Sequence, residues 1–170
     1  MSGEVRLGEI VKAVGLRGEV KLRLGEDFWE AALDSAQLEL DDGATRRPVR
    51  VEMWRPHGPG TCVLHLQGID DRTAAEALVG RELVLQAGAQ DVEPPPAPLP
   101  FQLRGLRVEL VDGGIVGEIA AVLKMPAQDV MVVRGADREH LIPNVAPIVR
   151  EVDWVARVMR IDPPAGLLEL

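Results

Sequence analysis

Three residues that could hold a metal ion, His57, Cys62 and His65, lie close together in the sequence. Imidazole nitrogens and thiolates are common zinc ligands, so this cluster could indicate a metal site. Its spacing matches no zinc signature, however, and in the alternating pattern of residues 62–67 Cys62 and His65 point to opposite faces of one strand. Strand histidines and a lone cysteine are mostly structural. We therefore predict that the chain binds no metal.

The sequence contains no pattern typical of nucleophilic catalysis. Ser2 and Ser35 are the only serines, and neither lies in a Gly-x-Ser-x-Gly sequence. Phosphate-binding loops and dinucleotide-binding fingerprints are also missing from the sequence. We predict no catalytic residue and no cofactor. The alternative is a small cytosolic hydrolase or RNA-modifying enzyme that uses His57 or His140, which requires a cluster of titratable groups in a pocket.

Two clusters of basic residues are candidate contacts for RNA phosphates. The first consists of Lys12, Arg17, Lys21 and Arg23, and the second of Arg46, Arg47, Arg50 and Arg55. Either cluster could touch phosphates at a few points, although such clusters are more often solvated surfaces. Aromatic residues make up only 3 % of the chain, and the three tryptophans are far apart in sequence. A base-stacking platform is therefore not expected.

The overall charge favours a basic protein as partner. The chain has 27 acidic and 19 basic residues and a net charge of −8. Proteins that coat nucleic acid by neutralising many phosphates are usually basic, so that class is excluded. No apolar run approaches the roughly 20 residues of a membrane-spanning helix, and no secretory signal is visible. The single cysteine fits a reducing compartment, and we expect a cytoplasmic protein.

A proline-rich stretch divides the chain into two parts. Five prolines fall between residues 94 and 100. Proline lacks the backbone N–H and fixes φ, so this stretch is predicted to be a stiff, extended spacer. We predict a first domain at residues 1–90, a linker at residues 91–100 and a second domain at residues 101–170.

The first domain shows the alternation of apolar and polar residues that is typical of half-buried strands. Strands are predicted at residues 19–24, 49–53 and 62–67. Turns are predicted at residues 15–18, 41–43 and 56–60, where glycine, proline and aspartate cluster. One short helix is predicted to begin after an N-cap at Asp70 and to end before Gly80. Short strands with one helix indicate a small β-barrel.

The second domain is also predicted to be β. Strands are predicted at residues 107–110, 116–122, 130–133, 141–142, 145–152 and 155–161. Turns are predicted at residues 112–114, 124–128 and 135–137. The predicted fold class is therefore all-β, with short helices and two small barrels.

Several segments together resemble the RimM family of ribosome maturation factors. The first is Leu-Gly-Glu-Ile-Val-Lys-Ala-Val-Gly-Leu-Arg-Gly-Glu-Val at residues 7–20, which looks like the N-terminal signature of that family. The others are residues 26–30, 66–83, 128–133, 141–143, 149–153 and 166–170. Each segment alone is weak, but the set covers nearly the whole chain in the family's order and spacing.

This resemblance implies a six-stranded N-terminal barrel of the kind found in translation factors, followed by a PRC barrel. It also implies a non-enzymatic factor that assists maturation of the small-subunit head and of its 16S rRNA. Family members bind small-subunit ribosomal protein nineteen, a basic protein, which agrees with the acidic balance of the chain. Neither a nucleotide nor a metal is needed, and nothing in the sequence signals a dimer, so we expect a monomer.

One departure from the family affects the expected partner contacts. The family carries adjacent tyrosines just before the PRC barrel, whereas this chain has no tyrosine and places Pro98 and Leu99 there. Leu99 and Phe101 either provide apolar anchors in their place or belong to the barrel core. We predict partner contacts at Lys12, Leu16 and Arg17 in the first domain, and at Leu99, Phe101, Met125, Pro126 and Asp129 in the second.

Overall fold

The computed structural model describes residues 3–86 and 89–170 of the chain. The chain divides into two compact units, of which the first ends at Ala97 and the second begins at Pro98. Both units are built mainly of antiparallel strands, so the all-β prediction is confirmed. Among the described residues, no helix combines the length and the apolar character that crossing a membrane requires.

The first unit contains one seven-stranded sheet, counted over the described residues. Its strands are β1 (Glu4–Val14), β2 (Glu19–Leu24), β3 (Leu38–Asp41), β4 (Arg46–Pro48), β5 (Val51–Pro56), β6 (Thr61–Leu66) and β7 (Glu82–Gln86). They are ordered β4-β3-β7-β1-β2-β6-β5, so the sequentially distant strands β1 and β7 are neighbours. A short helix, α1 (Arg72–Glu76), and a 3-10 turn at Glu30–Asp34 lie in its connections.

Alternation along the strands fixes which face of this sheet is buried. On β2, Val20 and Leu22 have no exposed surface, and on β1 Leu7 and Ile10 are equally buried. Between Ile10 and Lys12 the register of β1 against β2 shifts, which is a β-bulge. The bulge places one extra residue in β1, after which the inward and outward positions alternate again.

The helix α1 begins one residue later than the sequence predicts. Its N-cap is Asp71, whose Oδ1 accepts a hydrogen bond from the Ala74 backbone N–H at 2.7 Å. Asp70 instead lies beside the imidazole of His65, with 3.5 Å between Oδ1 and Nε2. Two adjacent aspartates both suit an N-cap chemically, so the sequence alone does not distinguish them.

The beginning of the predicted linker is attached to the first unit. Asp91 accepts hydrogen bonds from the Ser35 hydroxyl at 2.8 Å and from the Ala36 N–H at 2.6 Å. The Trp29 indole Nε1–H donates to the Glu93 carbonyl at 3.0 Å. The Ala36 N–H and the Ser35 hydroxyl hold the pKa of the Asp91 carboxyl below its ordinary value. Asp91 and Glu93, which precede the five prolines, are therefore attached to the first unit.

The second unit contains a six-stranded sheet in the order β11-β10-β9-β8-β13-β12, again counted over the described residues. It begins with a short helix, α2 (Pro100–Leu103), which places Pro100 at the first helical position, where its missing N–H costs nothing. The strands are β8 (Arg107–Leu110), β9 (Ile115–Leu123), β10 (Val130–Arg134), β11 (Glu139–Pro143), β12 (Val149–Asp153) and β13 (Val158–Ile161). Strand β13 pairs parallel with β8, and the other pairs are antiparallel.

The last two predicted strands of the second unit are too long at their beginnings. The Ile148 and Val149 N–H groups both donate to the Val145 carbonyl, at 3.0 and 2.9 Å, and form a turn before β12. Before β13, the Asp153 carboxylate accepts hydrogen bonds from the next turn, and Arg157 adopts a φ of +60°. Both segments are apolar in sequence, but their N–H groups bond within turns instead of to neighbouring strands.

Candidate functional site

The turn between β1 and β2 is held in place by the segment that leads into α1. The Arg72 guanidinium Nη1 donates to the Gly15 carbonyl at 3.0 Å. Gly18 has a φ of +91°, and a Cβ atom on it would lie 2.0 Å from the Ile69 carbonyl oxygen. Only glycine allows the two backbones to approach this closely. The turn therefore has one fixed conformation and presents its two central residues outward.

These two central residues are among the predicted partner contacts. Leu16 is 78 % exposed, an unusual state for a leucine, and Arg17 is exposed beside it. Lys12 is also exposed and lies on β1, opposite Lys21 of β2. The structure thus places an apolar tip and several cations at one end of the first sheet.

One face of the second sheet carries a patch of exposed and half-buried apolar residues across β9, β10 and β11. Strand register places Leu123, Val130 and Pro143 in one row and Ala121, Val132 and Leu141 in the next. We call these six residues the apolar ladder. None of them is buried, and Leu123 and Leu141 are 42 % and 59 % exposed. The row between them, Val122, Met131 and Ile142, points to the opposite face and is buried in the core.

The predicted contacts Met125, Pro126 and Asp129 lie at one end of the apolar ladder, in the turn that joins β9 to β10. Met125 is 53 % exposed and Pro126 is also exposed. Asp129 forms an ion pair with Lys124 at 2.8 Å, and its carbonyl accepts a hydrogen bond from the Asn144 N–H at 2.9 Å. Asp129 therefore ties the turn to the chain after β11.

The two candidate apolar anchors, Leu99 and Phe101, differ in exposure. Leu99 is only 7 % exposed, and its N–H donates to the Gln102 side chain at 2.8 Å at the start of α2. A side chain so deeply buried offers little surface to a partner, although Leu99 is not one of the residues that form the hydrophobic core of the second unit. Phe101, on α2, is half-buried.

The two candidate catalytic histidines belong to different units. His57 lies in the exposed turn between β5 and β6, and His140 lies on β11 of the other unit. The His140 Nδ1 is buried and has no hydrogen-bond partner among the described residues. Burial raises the pKa of the Cys62 thiol to about 11, so it is a weak nucleophile at neutral pH. Across residues 3–86 and 89–170, no group of three His, Cys, Asp or Glu side chains could hold a metal ion.

His65 has a structural role that sequence analysis did not identify. Its Nδ1 lies 3.1 Å from the Glu52 carboxylate, and its Nε2 lies 3.0 Å from the Ile69 carbonyl. His65 therefore helps to position the Ile69 carbonyl, which lies against Gly18. The only sequence signal was its outward position on β6, four residues before Ile69.

Comparison with known proteins agrees with the order of the two units. Residues 5–89 match the family model for the RimM N-terminal domain. Residues 100–167 match the model for the RimM PRC barrel domain.

Full-length relatives show the same similarity. The ribosome maturation factor RimM of Acidothermus cellulolyticus is 40 % identical over 98 % of this chain and 94 % of its own. That of Anaeromyxobacter dehalogenans is 38 % identical over 97 % of this chain and 98 % of its own. A crystal structure of a 16S ribosomal RNA processing protein RimM from Pseudomonas aeruginosa is 31 % identical, covers 96 % of this chain and 99 % of its own, and has a TM-score of 0.48. The two domain matches and the relatives from Acidothermus cellulolyticus and Anaeromyxobacter dehalogenans show that the chain belongs to the RimM family.

Proposed function

We propose that this chain is a non-enzymatic ribosome maturation factor that acts in the cytoplasm. It binds small-subunit ribosomal protein nineteen and assists assembly of the 30S head and maturation of 16S rRNA. The observation that carries the proposal is the match, over nearly the whole chain, to relatives named as ribosome maturation factors. The net charge of −8 supports a basic protein as the partner, because opposite charge accelerates and orients the encounter.

The apolar ladder is the surface that we assign to the ribosomal protein. Leu123 and Leu141 are exposed on the two outer strands of the ladder, and the four residues between and beside them are half-buried. Accessible apolar surface of this kind often marks a protein interaction site. Met125 and Pro126 extend this surface at one end, and the Lys124–Asp129 ion pair supplies a polar border. An apolar centre with a polar rim is the usual composition of a protein interface.

The first domain contacts the immature particle through the β1–β2 turn. Leu16, Arg17 and Lys12 are exposed there, and the fixed turn presents them without a large loss of conformational entropy on binding. The factor favours the unfinished particle because it binds that state more tightly than the mature one, and it leaves when the difference disappears. No nucleotide hydrolysis enters this cycle.

Calorimetric titration of purified small-subunit protein nineteen into the full chain tests the proposal. Leu123→Gln combined with Leu141→Gln should weaken binding at least about tenfold, equivalent to about 1.4 kcal/mol. The matched control is Val111→Gln with Val155→Gln, since these valines are 54 % and 98 % exposed outside the ladder. That control should bind like the wild type. Equal affinities for the two double variants would contradict the assignment of the ladder.

Gradient profiles of ribosomal subunits in a deletion strain test the biological role. Wild-type protein should restore the ratio of small to large subunits, and the ladder variant should not. Restoration by His57→Ala combined with His140→Ala would exclude the rival enzyme. Normal subunit ratios in the deletion strain, with no binding of protein nineteen, would refute the proposed function.

A further inference from the structure

A row of cations crosses the outer face of the first sheet. Strand register aligns Lys12 of β1, Lys21 of β2, Val63 of β6 and Arg55 of β5. The residues that alternate with them on these strands, such as Ala13, Val20 and Leu64, are buried in the core. The row therefore points away from the core, and we call Lys12, Lys21 and Arg55 the cationic row.

Val63 shows how this row is packed. It lies on the outward face, yet only 1 % of its surface is exposed. Val63 is therefore covered by other parts of the protein on this face as well. The cationic row thus crosses one apolar position that is closed to solvent.

Carboxylates neutralise the arginines on this face but not the two lysines. Arg55 pairs with Glu19 at 2.8 Å, and Arg23, in the adjacent row, pairs with Glu9. The arginine beside Glu19 keeps the pKa of that carboxyl below its ordinary value. Lys12 and Lys21 form no ion pair within the part of the chain that the structure describes.

The two lysines also face each other directly. Lys12 and Lys21 are register partners in an antiparallel ladder, where like charges destabilise the pair. Residues 1–97 carry 17 acidic and 11 basic side chains, so the first unit has a net negative charge. The cationic row is therefore a local concentration of positive charge on an acidic unit. The other carboxylates near this face, Glu52 and Asp70, contact His65 and not the lysines. An external anion would relieve this repulsion.

We propose that the cationic row, with Arg17 of the adjoining turn, binds the sugar–phosphate backbone of RNA. The inference rests on the proposed function and deepens it by naming the chemical group that the first domain recognises. Lysine ammonium groups bind phosphate as point charges, and phosphate contacts position a protein without reading sequence. No aromatic side chain stands in the row, so the site binds the backbone and does not stack on bases.

The test measures binding of the full chain to a transcript of the 16S rRNA head region at 50–200 mM salt. Lys12→Gln combined with Lys21→Gln removes both unpaired charges. The logarithm of the binding constant falls with log[salt], with a slope of about −0.7 for each phosphate contact to single-stranded RNA. Loss of two contacts should therefore reduce the magnitude of this slope by about 1.4 in the double variant. The same relation predicts about 25-fold weaker binding at 0.1 M salt. An unchanged slope would overturn the proposal.

Arg47→Gln combined with Arg50→Gln, in the second basic cluster of the sequence, is the matched comparison and decides between the two clusters. Both arginines are exposed in the same unit, and the substitutions change the net charge equally. The control should keep the wild-type slope, because its charges lie outside the row. A loss of slope equal to that of the lysine variant would mean that only total charge matters, and would also overturn the proposal.

Thermal stability separates an RNA contact from a structural role. The lysine variant should melt at the same temperature as the wild type or higher, because its substitution removes a repulsive pair. A lower melting temperature together with an unchanged slope would assign the lysines to the fold. If the lysine variant binds protein nineteen normally but keeps the RNA slope, only this inference fails. If the wild type binds neither ligand, the proposed function fails as well.

Discussion

Substitution of Gly18 by alanine should destabilise the first domain strongly. The new Cβ would lie 2.0 Å from the Ile69 carbonyl oxygen and 2.6 Å from its carbon. Both are backbone atoms, so no side-chain rotation removes the clash. Either the β1–β2 turn or the segment before α1 must move.

The cost has two parts. An alanine at the left-handed φ of +91° costs about 1–2 kcal/mol. Separation of the two segments also disrupts the Arg72–Gly15 hydrogen bond and the Ile69–Leu66 backbone bond, each worth about 1 kcal/mol. The total is about 3–4 kcal/mol, which lowers the melting temperature of a domain of this size by about 12–30 °C.

Thermal unfolding of the full chain, followed by far-ultraviolet circular dichroism, measures this loss. Gly15→Ala is the matched control, because Gly15 has a φ of +64° but open space where the Cβ would stand. The control carries only the conformational cost of about 1–2 kcal/mol. If Gly18→Ala and Gly15→Ala lower the melting temperature equally, the close approach to Ile69 does not constrain the turn.

Two further predictions follow from perturbed side chains. Asp91→Ala removes the acceptor of the Ala36 N–H, so hydrogen exchange of that amide should accelerate, whereas Glu93→Ala should leave it unchanged. Folding lowers the pKa of the Asp91 carboxyl. The hydrogen bonds of Asp91 to Ser35 and Ala36 therefore stabilise the fold fully above the unfolded-state pKa of about 3.9, and this stabilisation should be lost as the pH falls through the folded-state pKa. Cys62, whose pKa is raised to about 11, should react with iodoacetamide at pH 8 at least about 100-fold more slowly in the folded chain than in urea. Similar rates in both states would show that the thiol is not buried.

The sequence was most informative where local pattern and packing agree. Alternation on β2 identified Val20 and Leu22 as inward residues, and both are buried. The segment from Lys124 to Gln128 is the turn between β9 and β10, as its proline indicates. In these places neighbouring residues in the sequence determine the conformation, so one chain suffices.

The surfaces were less predictable, because they depend on strand register. The apolar ladder joins Leu123 to Pro143, which lie twenty positions apart, and no local pattern reveals that they share a row. Lys12 and Lys21 face each other because of the bulge after Ile10. A one-residue shift in the register of β1 against β2 would end this pairing. Both lysines belong to one basic cluster of the sequence, but the sequence does not reveal that they face each other across two strands.

The two sheets share one property of strand order. In the first, β7 lies between β3 and β1, and in the second, β13 lies between β8 and β12. In each unit, therefore, the strand that is translated last joins two groups of strands made earlier. During synthesis, each unit keeps unpaired strand edges until its last strand has left the exit tunnel. In a chain that stops before Val158, one edge of β8 stays unpaired permanently, because β13 is missing. Truncation before Val158 would thus yield an aggregation-prone product, although it removes only one strand of the second sheet.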